Sequence, residues 1–142
     1  MVDTSNMIFV FGSNLVGFHG AGAAQFAFQN RGAQWGKSVG LMGESYAIPT
    51  KDKNIRYTLP LNTIKIYVDE FLKFARLFSD IEFQVTRIGC GLAGLKDSQI
   101  APMFVHANKA DYPNVWFDNV WMHEFAATGR MSTAGYNIWG TF

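Results

Sequence analysis

Cysteine is almost missing: Cys90 stands alone among 142 residues, so an internal disulfide is excluded. His19, His106 and His123 are scattered along the chain and form no Cys/His spacing of a zinc site. A dominant charge is missing too, since 12 Lys and Arg against 11 Asp and Glu leave a formal net charge of +1. Without a Lys/Arg cluster, neither strong nucleic-acid affinity nor electrostatic recruitment to a membrane is expected. No apolar stretch approaches the length of a membrane span. The N-terminal residues carry Asp3 and no basic segment followed by a long apolar run, so no secretory leader is read and a cytoplasmic location is expected. No metal and no cofactor are expected.

What the chain has is glycine, 14 residues, and phenylalanine, 13 residues. At this length a single domain over residues 1–142 with a real core is the simplest reading, residues 1–7 being a short leader. The organising stretch is Ile8-Phe9-Val10-Phe11, a buried strand ended by Gly12-Ser13, then a loop with Gly17, Gly20 and Gly22, then a helix over about 21–31 that stops at Arg31-Gly32. Open backbone N–H groups at such a helix start form a seat for an anion. The spacing fits neither the P-loop nor the dinucleotide glycine pattern, and a turn built only for packing would read the same.

Further along, the glycine-rich stretch 32–44 holds Trp35, Val39, Leu41 and Met42 and reads as a packed covering loop. Ser45-Tyr46-Ala47-Ile48-Pro49 reads as a strand stopped by Pro49, followed by the polar loop Thr50-Lys51-Asp52-Lys53-Asn54. Loops at the C-terminal ends of strands are where open α/β sheets bind ligands. After Pro60, apolar residues at Leu61, Ile64, Val68, Phe71, Leu72, Ala75 and Phe78 predict a long amphipathic helix. Glu82–Ile88 reads as a strand and Gly89-Cys90-Gly91-Leu92-Ala93-Gly94-Leu95 as a second glycine loop. A helix capped by Asp97 or Ser98 follows, and then a last core strand, Val115–Asp118. The tail from Trp121 to Phe142 holds aromatic residues without a clear period, free to pack back or to meet a partner. Strands and helices alternate, which predicts an α/β fold with helices on both faces. Two glycine loops on one sheet edge could together grip two phosphates.

Phe18-His19-Gly20-Ala21-Gly22-Ala23-Ala24 with Phe26, then Ile48-Pro49-Thr50-Lys51, then Ile88-Gly89-Cys90-Gly91-Leu92-Ala93-Gly94-Leu95, resemble in order and separation the macrodomain family of ADP-ribose-binding modules. The likeness spans roughly residues 8–118. The subgroup most similar contains the terminal ADP-ribose protein glycohydrolase and the antitoxins that remove ADP-ribose from DNA. The resemblance implies a three-layer α/β/α sandwich with a mixed, mostly parallel central sheet. It implies that Gly20, Ala21, Gly22 and Ala23 form one diphosphate loop and Gly89, Cys90, Gly91, Leu92 and Ala93 the other. Ser13 and Asn14 would lie near the ribose, Thr50 is a further candidate ligand-binding residue, and His19 could donate to a phosphate. Lys51 matches the lysine that attacks or stabilises the anomeric carbon; Asn14 and Asp52 complete the candidate catalytic set, and Phe117 and Asp118 would line the adenine end. The ligand expected is ADP-ribose or a related NAD-derived nucleotide, free or carried on a protein, nucleic acid or small molecule.

Two departures bear on chemistry. Ala93 stands where the glycohydrolase carries an acidic residue, and the chain starts too late for the family's early adenine-binding strand. Binding therefore follows from the resemblance more directly than hydrolysis does. The alternative is an inactive protein of this fold that works in assembly or partner binding through its aromatic tail.

Overall fold

The computed structural model describes residues 2–140, so Met1 and Phe142, at the two ends of the expected leader and tail, lie outside the described residues. Six strands form one sheet: β1 Ile8–Asn14, β2 Gly40–Met42, β3 Ser45–Lys51, β4 Phe83–Val85, β5 Val115–Phe117 and β6 Asn137–Ile138. Their spatial order is β2-β3-β1-β4-β5-β6. β2 runs antiparallel to β3, and every other pairing is parallel. The α/β class and the mixed, mostly parallel sheet are therefore present as expected.

β1 is central, and its alternation explains the packing. Phe9 and Phe11 point to one side, where Ala24 and Ala27 of α1 (Gly22–Asn30), Ala33, Met42 and Ala47 join them. Val10, Tyr46 and Ile48 join the larger cluster of α2 (Leu61–Leu77), α3 (Asp97–Ile100) and α4 (Val120–Ala127). A strand covered on both sides reads as a continuous apolar run, as Ile8–Phe11 does. α2 follows the predicted period, burying Ile64, Val68, Phe71 and Ala75 at successive turns, while Lys65 and Asp69 pair on its exposed face. That surface pair adds little stability.

Four boundaries differ from the sequence reading. β1 runs through Gly12 and Ser13 to Asn14, because the missing Cβ at Gly12 admits the backbone of Gly89: an added Cβ would stand 3.2 Å from its nitrogen. β3 runs through Pro49 to Lys51. β2 ends opposite Ala47 and the β1–β3 register shifts just after Pro49, so the absent N–H falls where the ladder is already incomplete. The third core strand is shorter than Glu82–Ile88, since Thr86 turns both its N–H (3.2 Å) and its hydroxyl (2.7 Å) to the Val10 carbonyl and leaves the ladder. Residues 32–44 are not only loop, because Gly40–Met42 adds an edge strand.

The tail is spent on the core. Trp121 and Phe125 of α4 and Tyr136 are buried against Phe104 and Phe117, and β6 extends the sheet beside β5. The Tyr136 hydroxyl donates to the Val105 carbonyl and the Trp139 indole to the Val85 carbonyl at 2.9 Å. Trp121, Phe125 and Tyr136 are thus buried within this chain, while Trp139 is half-buried. Nor does the leader fray up to the first strand: Met7 is buried, and Arg31 Nη1 donates to the carbonyls of Ser5 and Met7. Among the described residues no helix is long and apolar enough to cross a membrane.

Candidate functional site

The chain leaves β1 to build β3 on one side and later β4 on the other, so β1 is a topological switch point. Ligands of open α/β sheets settle at the carboxyl ends of strands at such a point. A cleft of about 730 Å³ lies there. The ends of β1 and β3, the start of α1 and the loop after β4 all line it.

The first wall is built by α1. Ala21, the residue just before it, is extended (φ −154°) and offers no side-chain cap, and no acidic residue sits in the first turn. Gly22, Ala23 and Ala24 at the start of the helix line the cleft, and no side chain caps their amides. Gly22 itself is left-handed (φ +58°), a conformation that suits glycine. The opposite wall is the loop 89–95, which is tied to itself by Leu95 N–H to the Gly89 carbonyl (2.9 Å) and Gly94 N–H to the Gly91 carbonyl (3.0 Å). Thr58 Oγ1 fastens it from outside by donating to the Ala93 carbonyl at 2.7 Å.

Thirteen of the seventeen residues read from the sequence come together here: Ser13, Asn14, Gly20, Ala21, Gly22, Ala23, Thr50, Lys51, Gly89, Cys90, Gly91, Leu92 and Ala93 all line the cleft. Lys51 is the cross-strand partner of Asn14 and lines the cleft; its carbonyl accepts the Leu15 N–H at 3.0 Å, while its ammonium makes no hydrogen bond or ion pair among the described residues. Ser13 and Asn14 are buried and partly engaged. Ser13 donates to the Ser38 carbonyl at 2.6 Å, while the Asn14 amide donates to the Phe18 carbonyl (2.7 Å) and accepts the Phe18 N–H (3.0 Å). Thr50 likewise donates to the Ser13 carbonyl at 3.2 Å.

Four residues are placed elsewhere. His19 is fully buried behind the first loop, where Nε2 donates to the carbonyls of Gln34 (2.9 Å) and Lys37 (3.1 Å). Two carbonyl partners put the proton on Nε2, and the ring staples residues 34–37 to the loop in place of touching a phosphate. Asp52 turns away from the cleft: its Oδ1 accepts the N–H groups of Asn54 (3.1 Å), Arg56 (3.3 Å) and Tyr57 (3.4 Å) and shapes the hairpin after β3. Phe117 is a core residue packed on Phe104, Trp121, Phe125 and Tyr136. Asp118 is buried and accepts the Val120 N–H at 2.9 Å, starting α4.

The cleft also contains residues that sequence reasoning missed. Arg87, which the sequence allows as charge at the cleft rim but more readily as solvated surface, lines it, and so do Phe18, Trp35, Ile55, Thr86 and Gly12. Arg87 is held in a two-point pair by Asp97, Nε to Oδ1 at 2.8 Å and Nη2 to Oδ2. Asp97 does not cap its helix; its Oδ1 also accepts the Trp121 indole N–H at 2.8 Å. The Arg87 fork, with help from Trp121, holds the Asp97 carboxyl down at about 2. Asp97 in turn pushes the guanidinium further toward its charged form. Burial, with the nearby Asp97 charge, pushes the Cys90 thiol up to about 12, so it stands as a neutral thiol and not as a nucleophile. Among the described residues the charged side chains lining this cleft are therefore Lys51 and Arg87, the latter paired with Asp97 behind it. Among the described residues no cluster of three His, Cys, Asp or Glu side chains could hold a metal ion.

Ile55 sits on the rim at φ +59°, the one non-glycine residue in the left-handed region among those described. A β-branched side chain there is strained by about 1–3 kcal/mol. Ile55→Gly is expected to raise unfolding stability by about 1 kcal/mol, after allowing for the entropy glycine adds to the unfolded chain. A urea titration checks it, and an unchanged or lowered midpoint would show that the turn is unstrained.

No family model matches this chain, and no curated protein or solved structure matches it either.

Proposed function

We propose that this chain is a macrodomain-like three-layer α/β/α protein that binds ADP-ribose or a related NAD-derived nucleotide, with the diphosphate between the two glycine loops. The observation that carries the reading is the composition of the cleft. It sits at the switch point between an uncapped helix start and a glycine loop, and among the described residues it is lined by Lys51 and Arg87 and by no carboxylate. Backbone donors, a helix N-terminus and two cations together suit a doubly charged diphosphate better than any neutral ligand. The volume of about 730 Å³ falls within the range for small-molecule sites.

Binding is better supported than turnover. Attack of the Lys51 amine on an anomeric carbon would form a C–N bond, expel the group attached there and leave the amine a proton to lose. Among the described residues no carboxylate lines the cleft to receive that proton, and Asp52 Oδ1 is occupied by three backbone N–H groups. Lys51 is therefore assigned as a cation beside the ribose.

Calorimetry tests this directly. ADP-ribose is expected to bind more tightly than AMP, which lacks the second phosphate. Lys51→Ala is expected to weaken ADP-ribose roughly tenfold, the scale of one charge-assisted hydrogen bond. No heat at millimolar ADP-ribose would overturn the reading. A Lys51-dependent release of ADP-ribose from a modified substrate would show that turnover survives without the acidic residue.

A further inference from the structure

α2 buries one face and leaves a second stripe outside. Ile66 and Leu77 are 59% and 80% exposed, and Leu77 is the most exposed large apolar side chain among the described residues. One such residue on a surface is ordinary. Here two lie on one line of the helix with opposite charges between them. At about 3.6 residues per turn, Ile66, Glu70, Lys73 and Leu77 fall within an arc of about 60° and along about 16 Å of the helix. All four are exposed. Lys65 and Asp69, on the adjoining stripe, already pair with each other, whereas Glu70 and Lys73 have no ion pair among the described residues. Reversed, the order apolar, acidic, basic, apolar becomes its own complement.

We propose that this stripe is the contact surface for a second copy of this chain, with the two α2 helices packed antiparallel across a two-fold axis at the middle of the stripe. Ile66 then packs on Leu77 of the second copy, Glu70 faces Lys73 of the second copy, and the two-fold repeats both contacts. The spacing of four, three and four residues from Ile66 to Leu77 is that of the seam of a two-helix coil. The charges choose this arrangement over its competitors. A parallel pairing sets Glu70 against Glu70 and Lys73 against Lys73. Sliding the antiparallel helices by one heptad sets Ile66 against Glu70 or Leu77 against Lys73. The apolar ends supply attraction, and the central charges fix direction and register. The contact is short, at the small end of protein interfaces, so association is expected at sub-millimolar chain concentration and weakens with added salt. Among the described residues none from α2 lines the cleft, so pairing leaves the proposed ligand site untouched.

Sedimentation equilibrium of the full chain at low salt, over a series of concentrations, is expected to show monomer and dimer in exchange. Glu70→Lys and Lys73→Glu each turn two attractions into two repulsions and are expected to weaken the dimer roughly tenfold. An equimolar mixture of these two variants is expected to regain it, because every lysine then meets a glutamate across the axis. The double variant carrying both changes is expected to regain it for the same reason. Recovery in the mixture separates lost pairing from lost folding, since each chain in it is one that fails alone. Leu77→Ser is expected to weaken the dimer with no recovery from either charge variant. A monomer at every concentration would overturn the proposal and leave the stripe to solvent or to a different protein. A dimer that Glu70→Lys and Lys73→Glu leave intact would overturn it by placing the contact elsewhere. A mixture no better associated than its components would overturn the antiparallel pairing itself.

Discussion

Gly17→Ala is expected to lose about 2–4 kcal/mol of stability and to lower the thermal midpoint by roughly 10 °C. Gly17 sits at φ +76°, and an added Cβ would stand 2.5 Å from the Gly36 carbonyl carbon and 2.6 Å from the Lys37 nitrogen. Both are backbone atoms, so no side-chain rotation can relieve the overlap. The segment carrying Trp35 would have to retreat, stretching the Gly36–Gly17 hydrogen bond and the His19 contacts to Gln34 and Lys37. Gly36→Ala makes the informative comparison, because an added Cβ there meets nothing within 4 Å although φ is +89°. Differential scanning fluorimetry of the two variants separates overlap from backbone strain. Equal losses would mean that the close approach costs nothing.

Arg87→Ala is expected to weaken ADP-ribose roughly ten- to hundredfold, as loss of a charge-assisted contact to phosphate would. The guanidinium keeps donors free after Asp97 has taken Nε and one Nη2 hydrogen, and it faces the cleft. Asp97→Asn should act more mildly, since it removes what aims the fork but not the charge. Acid separates the two roles. Asp97 has a folded value of about 2 against an ordinary 3.8. Its contribution is complete above about pH 4 and is lost as pH falls through 3.8 toward 2. Wild-type stability should therefore fall more steeply across that window than that of Asp97→Asn, measured by denaturant midpoints at each pH. Parallel curves would show that the pair contributes nothing to the fold. Arg87→Ala also leaves a half-enclosed carboxylate without its partner, so its binding is best compared at temperatures well below its own midpoint.

The sheet class and most of the cleft were legible because both depend on short-range signals. An apolar run at Ile8–Phe11, a period of apolar residues from Ile64 to Ala75 and two glycine loops each state a local geometry. What escaped depends on contacts across the chain. Gly12 looked like a strand end, but its role is to receive Gly89, 77 positions away. His19 and Asp52 carry the right chemistry in the right loops, yet whether a side chain faces a ligand or its own backbone is decided by neighbours such as Gln34 and Tyr57. Arg87 resembled any surface arginine until Asp97 and Trp121 fixed its direction. Trp35 was placed in a covering loop, but its stack on Phe18 needs the Gly17–Gly36 approach to exist at all. Phe117 and Asp118 were assigned to a ligand because the resemblance required an adenine end, and the core and α4 had prior use for both.

The uncapped start of α1 has an energetic meaning of its own. A serine or aspartate at position 21 would serve the first amides of the helix and add about 1 kcal/mol to its stability. The chain carries alanine there and does without that gain. On the proposed function, an anion in the cleft would do double duty as ligand and as the missing end of the helix, so part of its affinity would be stability that the empty protein forgoes. Capping α1 from within would give a firmer protein and, on the same amides, a resident competitor for the proposed anion.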